Sequence, residues 1–200
     1  MLTLVRSELY RMATIRSSWV SIALFGAVTA AAGVVDADWW ALFAGIGAFG
    51  ISVMTVTQHF QHRTAALLYL ARPQRFTVLL AQVVTTVVIS WLVAAVSGVT
   101  VVSKWGTWTY YHALVAVPIM AVFGAALAAV VRRSVWLLSG FGVWFVIVEG
   151  VAGQFKYPLP MTSYLDASRG DAFGIEIFLV WAVAALAVAA VALRRDLSGD

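Results

Sequence analysis

The chain has 200 residues, 62% of them apolar and 11% charged, whereas a soluble domain is about half apolar and a quarter charged. That surplus exceeds any core a domain of this length buries, so it excludes a water-soluble globular fold and makes lipid the solvent. With no cysteine in the sequence, a disulfide framework, a thiol nucleophile and thiolate metal sites are excluded. The net charge of +4 is spread singly or in pairs between apolar runs, which points to membrane-surface anchors and not to nucleic acid.

Residues 2–16 place Leu2, Val5, Leu9 and Met12 at helical spacing, with Arg6, Glu8, Arg11 and Arg16 as a charged surface. The pattern predicts an amphipathic helix lying in the membrane interface; a solvated basic tail is the plainer alternative. Two apolar runs follow, 18–35 and 39–57, each close to the roughly 20 residues a helix needs to cross a hydrocarbon core. The first is read as a retained span and not a signal peptide, because the segment before it is long and contains Glu8. Residues 58–77 form the one sizeable polar cytoplasmic loop, with a short helix from Gln58 and a turn at Arg72-Pro73. Three further spans are predicted over 78–102, 113–131 and 135–152. In the outer loop 153–174, Pro158 and Pro160 forbid a regular helix, and a short helix is expected near 161–167. The sixth span is 175–193.

The predicted fold is therefore a single all-α membrane domain of six transmembrane helices with an N-terminal amphipathic interfacial helix. Its N and C termini are both cytoplasmic on the count of basic residues by loop. Arg6, Arg11, Arg16, Arg63, Arg72, Arg75, Arg132, Arg133, Arg194 and Arg195 fall on one side, against Lys104, Lys156 and Arg169 on the other. Trp39, Trp40, Trp105, Trp108, Tyr110, Tyr111 and Tyr157 are expected to form an aromatic belt at the outer interface. The pairs Gly26 with Ala30 and Gly124 with Ala128 have the spacing that lets helix backbones approach.

Chemistry-bearing motifs are sparse. No Gly-x-x-x-x-Gly-Lys-Ser/Thr run occurs, so any ATP use is expected on another subunit. His59 and His62 share a helix face at i, i+3 but have no acidic companion, and no metal site is expected. Glu149 is the one acid well inside a span, which makes it a candidate pathway or gate residue; being near the span's end, it is equally read as an acid that reaches water. Glu176 stands near the start of the last span, where a helix N-terminus favours an acid.

The order of an amphipathic helix, two spans, a polar loop and four spans resembles the permease subunit of type 2 ABC exporters. The sharpest local similarity is the stretch from His59 to Gln82, in which Thr64, Pro73, Arg75 and Ala81 fit a Gly-Thr, Pro-x-Arg, Val-Leu-x-Ala-Lys pattern. His59 stands where an acid is usual, Arg63 where glycine is usual and Gln82 where lysine is usual. Tyr157-Pro-Leu-Pro160 and the closing Arg194-Arg195-Asp196 also resemble that family.

The resemblance implies that Gln58, His59, Gln61, His62, Arg63 and Thr64 form a coupling helix docking on a P-loop ATPase, supported by Arg6, Glu8, Arg11 and Arg16. It implies a second permease copy, as a homodimer or related heterodimer, in the cytoplasmic (inner) cell membrane. The chain itself would bind no cofactor, ATP and Mg residing on the ATPase. The expected cargo is hydrophobic or amphipathic, a drug, lipid or peptide, since spans so poor in charge offer little to a small ion or sugar. Two other readings stay open: a non-transporting membrane binding protein, such as an immunity or signalling subunit, and a secondary transporter.

Overall fold

A computed structural model describes residues 2–14, 16–61 and 75–195. Its helices run in chain order as α1 Leu2–Thr14, α2 Arg16–Val35, α3 Ala37–Gln61, α4 Arg75–Ser97, α5 Val99–Trp105, α6 Trp108–Val131 and α7 Ser134–Val143. Helix α7 continues as a π-helical stretch, Trp144–Ala152, and α8 Pro160–Ser168 and α9 Ala172–Arg195 complete the chain. The protein is about 90% helical and has no strand among the described residues. In lipid no water is present to satisfy a backbone N–H or C=O, so a spanning segment must bond within itself.

Among the described residues five helices are long and apolar enough to cross a membrane: Ala37–Gln58, Thr77–Trp105, Trp108–Val131, Ser134–Ala152 and Ala172–Leu193. Trp19–Val35 is a shorter apolar helix. The chain thus has the architecture of a multi-pass membrane protein.

Helix α3 is the hub: 78% of its apolar stretch is buried, against 11% for Ser134–Ala152. It packs against α2, α4 and, most extensively, α6, which in turn carries α9. The α3–α6 region is built from small side chains, with Ala41, Ala44 and Ala48 on α3 and Ala113, Ala116 and Ala125 on α6 all buried. At its tightest point a Cβ on Gly124 would lie 3.2 Å from the Phe49 carbonyl oxygen and 3.3 Å from its Cα. Because lipid tails are as apolar as leucine, such close backbone approach, and not exclusion from water, holds spanning helices together. Beside it Phe49 stacks on Phe141 of α7 at 4.0 Å. Phe123 contacts Phe178 and Phe178 meets Tyr164 edge-on, tying α6, α9 and α8 into one core. The outward faces of α7 and α9 remain apolar and exposed, as at Val146, Ile147, Val180 and Val183.

Several predicted boundaries and faces differ from the structure. The run predicted over 78–102 extends as one apolar stretch to Trp105, bent at Gly98. A side chain at Gly98 would collide with the rings of Tyr110 and Trp40, so the bend sits where three elements converge. Beyond it α5 reaches the open end of α2, whose last carbonyls lack an intrahelical partner: Trp105 Nε1 donates to Gly33 O (3.1 Å) and Lys104 Nζ to Val34 O (3.3 Å), and one turn earlier Thr100 donates to Ala30 O (3.2 Å). Trp40 and Tyr110 do not belong to an exposed belt. Trp40 is fully buried and donates to Ser97 Oγ at 3.3 Å, while Tyr110 is half-buried and donates to Ala95 O. Helical periodicity turns Trp40 into the core while its neighbour Trp39 stays exposed.

The α3–α6 seam gives a first prediction. Gly124→Val forces a branched side chain into backbone and is expected to cost about 1–3 kcal/mol, read as a lowered unfolding temperature in detergent. Gly140→Val, on the open face of α7 where an added Cβ meets nothing within 4 Å, leaves that temperature near wild type.

Candidate functional site

Helix α8 begins with Pro160 after Leu159, whose apolar side chain cannot cap it. Its first N–H groups therefore need acceptors from elsewhere. Glu149 supplies them from α7's π-helical extension: Oε1 accepts from Met161 N (3.1 Å) and Oε2 from Thr162 N (2.6 Å) and Thr162 Oγ1 (2.8 Å). Oε1 also accepts from Trp144 Nε1 at 3.1 Å. The side chain is fully buried. All four partners donate, which suits the acceptor-only form of a carboxylate, and a helix N-terminus favours negative charge.

The π-helical geometry makes this arrangement possible. Trp144 and Glu149 lie five residues apart, and a π turn, whose repeat is i to i+5, brings both to one side. The chain then reverses in a tight turn. Gly153 N donates to Val148 O (2.8 Å), Gln154 N to Gly150 O (3.1 Å) and Phe155 N to Glu149 O (2.9 Å). Gln154 (φ 47°) and Phe155 (φ 53°) adopt the left-handed conformation, which costs a non-glycine residue of order 1 kcal/mol.

Other bonds fix α8 across the end of the bundle. Tyr164 is fully buried, which pushes its phenol up and keeps it protonated, and it donates to Ala41 O at 2.8 Å. Its ring lies where a side chain on Gly45 would be. Arg169 pairs with Asp38 at 2.9 Å, an exposed contact worth at most about 1 kcal/mol, and its carbonyl accepts from Trp108 Nε1 at 2.9 Å. Asp171 caps α9 through Phe173 N and Gly174 N, each at 3.2 Å. It is thus Asp171 that caps this helix, and Glu176 is exposed.

Beside α8 lies a cleft of about 720 Å³ whose walls include Trp39, Phe145, Phe155 and Leu165, with Asp38, Asp166 and Arg169 as its charged rim. Burial pushes the Asp166 carboxyl up, the Arg169 guanidinium opposes that rise and Asp171 adds to it. Among the described residues no group of three His, Asp or Glu side chains could hold a metal ion.

The remaining candidates lie at the opposite end. Gln58 is half-buried near the end of α3 and shares a small cavity with Met12, Ser21 and Thr55; the Thr55 hydroxyl contacts Met12 Sδ at 3.8 Å. His59 and Gln61 fall in the last turn of α3, and His62, Arg63 and Thr64 lie outside the described residues. Arg6 is exposed on α1, which also carries Glu8 and Arg11, and Arg16 opens α2. Glu149 corrects the expectation of an acid that reaches water, because the α8 N-terminus covers it.

No protein-family model matches the sequence, and no curated protein matches it.

The Glu149 site predicts a graded series. Glu149→Ala leaves buried N–H groups unpaired, and Glu149→Gln sets an amide donor against donors. Each is expected to cost about 1–3 kcal/mol per unsatisfied group, lowering the unfolding temperature and speeding protease cleavage within residues 153–159. Thr162→Val, which removes one donor and leaves shape intact, has the smaller effect. Wild-type stability of Glu149→Ala in lipid nanodiscs contradicts the capping role.

Proposed function

We propose that the chain is the transmembrane subunit of a type 2 ABC exporter, with six crossings, both termini in the cytoplasm and a P-loop ATPase docked beneath. The observation that carries this reading is the seat of α1, which packs mainly on α4 and reaches the lower part of α3 through Met12. Met12 meets Thr55 and shares a cavity with Gln58, so the amphipathic helix lies beside the root of the 62–74 segment. One partner pressing on that end would engage α1 and the loop together. The sequence resemblance supports the same arrangement.

The exposure of α7 supports a second copy of the chain or a related permease, with the cargo path between the two. ATP and Mg bound by the paired ATPases would drive their closure, and force would pass through the loop and α1 to α3. A ligand shifts such an equilibrium only by its differential affinity for the two states. The lipid-like lining suits a hydrophobic or amphipathic cargo carried across the cytoplasmic membrane.

The test is to purify the tagged chain from its native cell in mild detergent and ask whether a P-loop ATPase accompanies it. Its absence, repeated after crosslinking, overturns the reading in favour of a binding-only membrane protein. Given the partner, charge reversal by Arg63→Glu with Gln61→Glu is expected to lower permease-stimulated ATPase activity about tenfold with membrane insertion intact. Unchanged stimulation removes 58–64 from the docking surface.

A further inference from the structure

Helices α1, α2 and α4 border an apolar groove of about 620 Å³. Leu9 and Met12 of α1, Ile22 and Ala27 of α2, and Leu92 and Val96 of α4 line it. Small residues keep the α2 wall low: a Cβ added at Gly26 would come no nearer than 3.7 Å to Val93. Ser97 of the lining is already engaged, accepting from Trp40 and donating to Ala94 O. Apart from Ser97 and the Trp19 indole, the lining side chains are apolar. It is continuous with the exposed apolar faces of Leu24, Val28, Leu92 and Val96, the faces that meet lipid in a membrane.

One end of the groove is bounded by α1, and the charge there is one-sided. Residues 2–16 carry Arg6, Arg11 and Arg16 against Glu8, and Arg6 is exposed. Arg6 lies one turn before Leu9 of the lining on the same face of α1, and an apolar slot bordered by a basic helix matches an amphiphile with an apolar tail and an anionic head. The slot's volume falls in the range of about 300–1,000 Å³ usual for small-molecule sites, and basic pockets between spanning helices select anionic headgroups.

We infer that this groove binds one acyl chain of an anionic membrane phospholipid, with its phosphate drawn to the net positive charge of residues 2–16. The lipid fills the gap between α2 and α4 and ties α1 to the bundle. This rests on α2 and α4 lying in the bilayer and is independent of the exporter reading.

The unmodified protein suffices for the test. It is reconstituted in phosphatidylcholine vesicles containing a trace of phosphatidylglycerol with a photoreactive group in its acyl chain, and labelled peptides are mapped by mass spectrometry. Label is expected to concentrate on residues 19–30 and 89–97 over the exposed face of α9. Unlabelled phosphatidylglycerol competes it away, whereas extra phosphatidylcholine does not. Each of Arg6→Gln, Arg11→Gln and Arg16→Gln lowers that labelling by about fivefold, the effect of roughly 1 kcal/mol per basic residue at a membrane surface. Even labelling of both surfaces, equal competition by phosphatidylcholine, or indifference to all three arginines overturns the proposal. So does a groove shielded from lipid by a helix of a second copy, seen as label missing from 19–30 and 89–97.

Discussion

The close approach of α3 and α6 is the constraint on which the remaining architecture depends. In a solvent that does not repel apolar side chains, two helices stay together only when their surfaces meet with little between them. Alanines and Gly124 provide that surface, and the Phe49 backbone sits against the glycine. The other long apolar helices are placed relative to this pair. Helices α2 and α4 take the remaining sides of α3, α9 follows α6, and α7 reaches the pair through the Phe49–Phe141 stack.

The two ends of this bundle are finished differently. Where α2 meets α5 and α8 lies across the helices, indole N–H groups of Trp40, Trp105, Trp108, Trp144 and Trp181 all donate to protein acceptors. The buried acid, its helix and the tyrosine anchor belong to the same end. At the other end the described contacts include a methionine sulfur against a threonine hydroxyl and a small cavity beneath α1.

Composition and run length revealed the helical membrane architecture, because hydrophobic length is a one-dimensional property that needs no partner to be recognised. The short helix after Pro158 was legible from two prolines and a polar segment. The role of Glu149 was not, since it depends on a π turn that brings it beside Trp144 and on a helix start eleven residues later. Linear spacing in an α-helix would put residues 144 and 149 on different faces. The division of Trp39 from Trp40 failed for a related reason: a belt defined by residue type ignores which way each side chain turns.

Glu149's four hydrogen bonds limit how α7 can move. At one end the helix starts after a left-handed Arg132 that closes α6; at the other its carboxylate is bonded to a helix that is itself anchored to α3 through Tyr164. A strut fixed at both ends cannot slide lengthwise without breaking the carboxylate's bonds, and rolling about its long axis would in addition pull Phe141 off Phe49. Any rearrangement that keeps α8 in place must therefore carry α7 with α3 and α8 as one piece.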